Sequence, residues 1–144
     1  MAIVLFDSNI LIDHLLGIRQ ATIELAGYDD AAISAICWIE ATCLLTPEKT
    51  AVFDQDLADA GIVILQTTPN IMRRAAELRG GHSLPAGAKR PRLPDCIIRA
   101  SAESQGRVIV TRNPDDFGSL ANPMVRVPYK SIGGMVTDVR PLPP

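Results

Sequence analysis

Short, unbroken apolar runs alternate along this chain with stretches where apolar residues recur every three or four positions. The first run, residues 2–6 (Ala-Ile-Val-Leu-Phe), reads as a strand hidden on both faces, because it offers no polar side to water. Ser8 and Asn9 are placed to cap a following helix in which Ile10, Leu11, Leu15 and Ile18 share one side. Residues 19–26 suggest a second short helix closed by Gly27, and residues 31–34 a second strand. A helix is expected over 36–45, with Ile36, Ile39, Cys43 and Leu44 forming an apolar face next to Glu40 and Pro47 as its stop. Residues 48–60 predict a helix ended by Gly61, residues 62–65 a third strand, and residues 69–79 a helix opened by Pro69 and ended by Gly80-Gly81. Residues 80–93 are a basic loop punctuated by Gly and Pro. Pro94 then starts a helix over 95–105 that Gly106 ends. Residues 107–111 read as a fourth strand and 125–128 as a fifth, with disorder expected over 140–144. Strands alternating with helices argue for an α/β fold: a mostly parallel sheet with helices on both faces.

Composition narrows this picture. A chain of 144 residues suffices for one domain with its own core, and 47% hydrophobic against 21% charged residues excludes a disordered chain. With only 4% aromatics, that core is aliphatic. No apolar stretch approaches the roughly 18 residues of a membrane span, and the N-terminus has no basic leader, so a cytoplasmic protein is expected. Cys37, Cys43 and Cys96 lack metal-ligand spacing and read as reduced thiols.

The net charge of −2 conceals a polarity along the chain. Residues 1–71 carry two basic residues against ten acidic ones, whereas residues 72–112 carry nine basic residues against three acidic. Such a block can track a polyanion or can simply keep a surface solvated.

Four acids then stand out. Asp7 ends the first apolar run, Asp116 follows the fourth strand, and Glu40 and Asp95 lie near the starts of expected helices. In open α/β sheets, sites form outside the carboxyl ends of the strands, and all four acids are expected at that rim. Converging carboxylates repel unless neutralised, and the usual agent is a hard divalent cation held by oxygen ligands. Duller roles exist for two of them. Asp95 complements a helix dipole, and Asp116 sits in the turn sequence Asn113-Pro114-Asp115-Asp116. Asp7 and Glu40 are harder to explain away, because a lone carboxylate among apolar neighbours is costly.

Val4-Leu5-Phe6-Asp7-Ser8-Asn9, Ser34-Ala35-Ile36 through Ile39-Glu40, Leu93-Pro94-Asp95-Cys96-Ile97-Ile98, and Val110-Thr111-Arg112-Asn113 through Asp116-Phe117 follow one another in this order. In these segments the chain resembles the PIN-domain ribonucleases, especially the VapC-like toxins of bacterial VapBC toxin–antitoxin pairs. The resemblance implies a three-layer α/β/α sandwich with four or five strands over residues 1–130, followed by a tail over 131–144. It implies an acidic site of Asp7, Glu40, Asp95 and Asp116 that binds Mg²⁺ or Mn²⁺ and hydrolyses RNA, with Asp7 and Asp95 as the direct ligands. Ser8, Thr111 and Asn113 match supporting polar positions, and Arg112, Arg99, Lys89, Arg90 and Arg92 are candidates for contacting backbone phosphates. A cognate antitoxin inserted in an apolar groove and a homodimer are also implied. Asp13 is expected to face water, Trp38 to be core, and His14 and His82 to be structural or solvated. Asp115 competes with Asp116 for the fourth acidic place. An aspartyl phosphotransferase would want a second Asp where Asn9 stands, and a receiver domain a Lys where Arg112 stands. A non-catalytic metal- or RNA-binding module remains as the alternative.

Overall fold

The computed structural model describes residues 3–80, 84–117 and 124–144. Strands β1 (Val4–Phe6), β2 (Ala31–Ser34), β3 (Ile62–Leu65), β4 (Val108–Val110) and β5 (Val125–Arg126) form one sheet in the order β3-β2-β1-β4-β5, every neighbouring pair parallel. Six helices flank it as a three-layer α/β/α sandwich: α1 (Ser8–Leu15), α2 (Arg19–Leu25), α3 (Ala35–Thr42), α4 (Pro47–Asp59), α5 (Pro69–Arg79) and α6 (Leu93–Gln105). The central strand β1 is wholly buried, which is why it reads as an unbroken apolar run. Around it pack Ile33, Ile109 and Val110 from the neighbouring strands, and Phe53, Ile98 and Tyr129 from outside the sheet. A second apolar cluster of Ile71, Ala75, Cys96 and Ala100 joins α5 to α6.

The expected strands and helices lie at or near their expected places, with informative departures at their ends. Asp7 itself caps α1, its carboxylate accepting the Ser8 N–H, where Ser8 or Asn9 was expected. Helix α3 ends at Thr42, and Pro47 opens α4 rather than stopping α3, with Thr46 as cap. Of the apolar face expected on α3, only Ile36 packs against the core. Ile39 is 54% and Leu44 95% exposed, while Cys37 and Ala41 turn inward.

At the start of the span expected as a tail, residues 130–137 form an antiparallel hairpin, β6 (Lys130–Ile132) with β7 (Met135–Thr137). Its turn is Gly133-Gly134, both at positive φ (57° and 81°), the backbone that a two-residue hairpin loop demands. That Gly-Gly pair was the signal available in the sequence. Beyond it, Arg126 Nη2 donates to Pro141 O at 2.9 Å, and Leu142 lies over Gly27, where a β-carbon would come within 2.5 Å of it.

Gly106 ends α6 at φ 64° with open space where a side chain would project. Gly106→Ala should therefore cost about 1 kcal/mol through backbone strain alone. Chemical denaturation checks this: a lower midpoint with an unchanged m-value is expected.

Candidate active site

The parallel register brings three chain segments to one level. Phe6 pairs with Ile33 and with Val110, so Asp7, Ser34 and Thr111 come next on adjacent strands at the carboxyl-terminal rim. Asp7 is only 5% exposed, and its N–H extends the ladder to Val110 O at 2.9 Å. Its Oδ2 accepts the Thr111 hydroxyl at 2.8 Å and the Asn9 side-chain amide at 3.2 Å. Its Oδ1 accepts the Ser8 N–H at 2.7 Å and only a distant Ser8 hydroxyl at 3.5 Å, leaving that oxygen the more available of the two. The Thr111 oxygen in turn accepts the Asn9 amide (3.1 Å) and the Asn113 N–H (3.0 Å). Ser8, Thr111 and Asn113 thus all join the Asp7 network. Asn9 was read only as a helix cap, although it ties Asp7 to Thr111. Its place two residues after Asp7, at the start of a helix, was the only clue.

The other acids reach Asp7 electrostatically. Burial raises the Asp7 pKa above the usual carboxylate range, its hydrogen bonds from Thr111 and Ser8 oppose this, and the charges of Asp116 and Glu40 add to the rise. Asp95, in the first turn of α6, is pushed up to about 6, first by burial and then by Asp116 and Asp7, with Arg92 opposing and Glu40 adding. Burial lifts the Cys37 thiol, and the charges of both Asp7 and Glu40 lift it further. Of the neighbouring pair Asp115 and Asp116, it is Asp116 whose charge both Asp7 and Asp95 feel.

Beside the acids opens a cleft of about 320 Å³ lined by Lys89, Arg90, Arg92 and Arg99 together with Asp95, Asp115 and Asp116. Four cations and three carboxylates on one surface form a mixed-charge site. Among the candidate phosphate contacts, Lys89, Arg90 and Arg92 stand exposed in it. Arg99 is half exposed and pairs with Glu103, which also takes Arg74. Arg112 is placed differently. Its guanidinium forms a two-pronged pair with Asp13 (Nε to Oδ2 2.6 Å, Nη2 to Oδ1 3.2 Å), away from the cleft lining.

Asp13 corrects the sequence reading as well: it is 3% exposed rather than facing water, and Tyr129 OH donates to it at 2.7 Å. Its position on α1 beside apolar Ile10 and Leu11 carried no sign of a partner so distant in sequence. His14 bonds Thr22 and Asp56, and Trp38 packs against the core with its indole N–H on Asp54. His82 lies outside the described residues.

The donor set suits a hard divalent cation: carboxylate oxygens whose charges add to the raised pKa values of Asp7 and Asp95, with a less committed Oδ1 on Asp7. It does not make a complete cage. Among the described residues no three His, Cys, Asp or Glu side chains gather as a first coordination shell. Mg²⁺ asks for less than that, since it keeps several waters and takes one or two carboxylates directly.

Comparison with known proteins agrees with this fold. The family model for the PIN domain matches residues 4–122. A chain of a toxin–antitoxin complex from Klebsiella pneumoniae is 31% identical, with a TM-score of 0.69, the match covering 88% of this chain and 98% of that one. A chain of DNA-bound VapBC from Salmonella typhimurium (19% identity, TM-score 0.63, 88% and 98% covered) shares the fold. So does a chain of VapBC2 from Rickettsia felis bound to a promoter DNA fragment (18%, TM-score 0.59, 86% and 97%). No curated protein matches the chain.

The raised carboxyls carry a prediction. Asp95 holds its proton more tightly folded (pKa about 6) than at its ordinary value of 3.8, so it stabilises the fold at low pH and that contribution is lost as pH rises through 6. In EDTA the protein should therefore lose thermal stability between pH 4 and 7, and Asp95→Asn should flatten that slope. At pH 7.5 without metal, Asp95→Asn should raise the Tm by about 2–4 °C, corresponding to about 1 kcal/mol. A lower Tm for that variant would contradict the repulsion.

Proposed function

The chain belongs to the PIN-domain family, and we propose that it is a divalent-metal-dependent endoribonuclease, the toxin of a VapBC-type pair. The observation that carries this reading is the mixed cleft, where Asp95 and Asp116 stand beside Lys89, Arg90 and Arg92. A purely structural metal site needs no cations at its edge. A site that cuts a polyanion needs both signs, one to hold the metal and one to hold flanking phosphates.

Asp7 and Asp95 are the residues to hold Mg²⁺ or Mn²⁺ directly, with Glu40 and Asp116 acting on the ion through water. When bound, such an ion polarises a phosphoryl oxygen and acidifies a water molecule. The chain's own residues do the rest. Thr111 and Asn9 fix the rotamer of Asp7, and the hydrogen bonds from Thr111 and the Ser8 N–H oppose the rise that burial gives its pKa. Lys89, Arg90 and Arg92 hold the RNA backbone across the carboxylates, while Asp116 places negative charge where an attacking water loses a proton.

The antitoxin and a second copy of the chain are the proposed partners. A surface for the antitoxin is available between α1 and α4. A cleft of about 380 Å³ there is lined by Leu15, Leu45, Val52 and Phe53, and Leu16 beside it is 74% exposed. An amphipathic helix with apolar residues at helical spacing would cover it.

Purified protein should cleave RNA with Mg²⁺ or Mn²⁺ and lose that activity in EDTA. Asp7→Asn and Asp95→Asn should each lower kcat by at least about 100-fold. Cleavage indifferent to EDTA or to both substitutions would remove the metal mechanism. Metal binding without cleavage of any RNA would favour the non-catalytic module instead.

Arg90→Ala combined with Arg92→Ala should raise KM by about tenfold and weaken the salt dependence of RNA binding, with kcat little changed. A filter-binding titration over ionic strength measures this. An unchanged salt slope would exclude those residues from the RNA track.

A further inference from the structure

We propose that Asp13, Arg112 and Tyr129 are positioning residues: they hold the Thr111–Asp116 segment against the Asp7 carboxylate, so the acidic site keeps its shape before any metal binds. The inference rests on the reading that Asp7 and Asp116 serve one active site.

The path is continuous. Asp13 lies on α1, buried, and takes both prongs of Arg112 and the Tyr129 hydroxyl. Arg112 also donates its backbone N–H to Asn9 Oδ1 at 3.3 Å, and Asn9 donates to both Asp7 and Thr111. One residue before Arg112, the Thr111 hydroxyl donates to Asp7; one residue after it, the Asn113 N–H returns to that same hydroxyl. Asn113 O then accepts the Asp116 N–H at 3.2 Å and sets the short 3-10 turn of Pro114–Phe117 that carries the fourth acid. The single ion pair therefore anchors both ends of the contact between α1 and the segment after β4.

That contact works against a repulsion. Asp116 adds to the rise that burial gives the Asp7 pKa, a like-charge repulsion across the contact. The neutral bonds from Thr111 and Asn9 oppose this at the rim, and the charged pair behind them adds a tether that is largely buried on the Asp13 side. Arg112, expected to touch RNA, acts instead through Thr111 and Asn9.

The fold supplies its own control. Glu24, Arg126 and Tyr28 form a second triad of the same chemistry: Arg126 pairs with Glu24 at 2.7 and 3.1 Å, and Tyr28 OH donates to Glu24 at 2.7 Å. Among the described residues, the side chains of that triad make no hydrogen bond to Asp7, Asn9 or Thr111. A loss of buried ion pairing in general would show equally in both triads; positioning would show only in the first.

Amide hydrogen exchange on the metal-free full chain provides the test, with Mn²⁺ affinity measured by titration alongside. Asp13→Asn should speed exchange at the Arg112, Asn113 and Asp116 amides by about tenfold or more over wild type. It should also weaken Mn²⁺ binding by about 10-fold or more, as expected when support behind a metal ligand is lost. Tyr129→Phe, which keeps the ion pair, should move both in the same direction by less. Glu24→Gln should lower the Tm without selective change at those three amides. The inference is overturned if those amides exchange at wild-type rates in Asp13→Asn and Tyr129→Phe, or if Glu24→Gln accelerates them as much. Should Asp13→Asn fail to fold, Tyr129→Phe against Glu24→Gln decides by the same comparison. Absence of Mn²⁺ binding by the wild type would sink the metal-dependent reading, whereas the exchange comparison would still decide the positioning role.

Discussion

Much of this molecule's arrangement depends on satisfying the oxygens of one buried carboxylate, Asp7, at the end of the central strand. An aspartate that is 5% exposed, with other acids in electrostatic reach, is unstable there unless its oxygens are met by donors. The structure meets them from two directions. Helix α1 presents the Ser8 N–H and the Asn9 amide, and the segment after β4 presents the Thr111 hydroxyl. Because β1 and β4 are parallel neighbours in fixed register, those donors arrive at the right level. The sheet topology and the acidic rim are in that sense one constraint.

A second pattern concerns the cations. The basic block over 72–112 reads from sequence as either a polyanion track or a solvated face, and the fold divides it by partner. Arg107 turns to the opposite end of the sheet, where it bonds Asp30 and the carbonyl of Val4. Arg74 and Arg99 converge on Glu103, and Arg112 is taken by Asp13. Of these pairs only Arg112–Asp13 is largely buried on both sides, and losing one partner of a buried pair typically costs about 3–5 kcal/mol. Lys89, Arg90 and Arg92 are left at the cleft. A net-charge argument cannot make this division, since it counts cations without their partners.

How much could be read beforehand varies with the range of the interaction involved. Strands β2 and β3 and helix α5 match their expected limits, since apolar runs, Pro at a helix start and Gly at its end are local signals. The α3 face went wrong because apolar spacing on a short helix does not say which side meets the sheet, and Leu44 ended up in solvent. The hairpin after residue 130 was missed although Gly133-Gly134 marks it, because two three-residue strands are too short to announce themselves.

By itself, the sequence determined the alternation of strands and helices and the places of Asp7, Glu40, Asp95 and Asp116 near strand and helix ends, because these follow from contacts within a few residues. It could not determine which charges find each other. Arg112 and Asp13 are 99 residues apart in the chain, and Thr111 and Asp7 are 104. Only the parallel packing of β1 against β4 brings such pairs within bonding distance, and only the folded chain pairs Arg112 with Asp13 while leaving Lys89, Arg90 and Arg92 in the cleft lining.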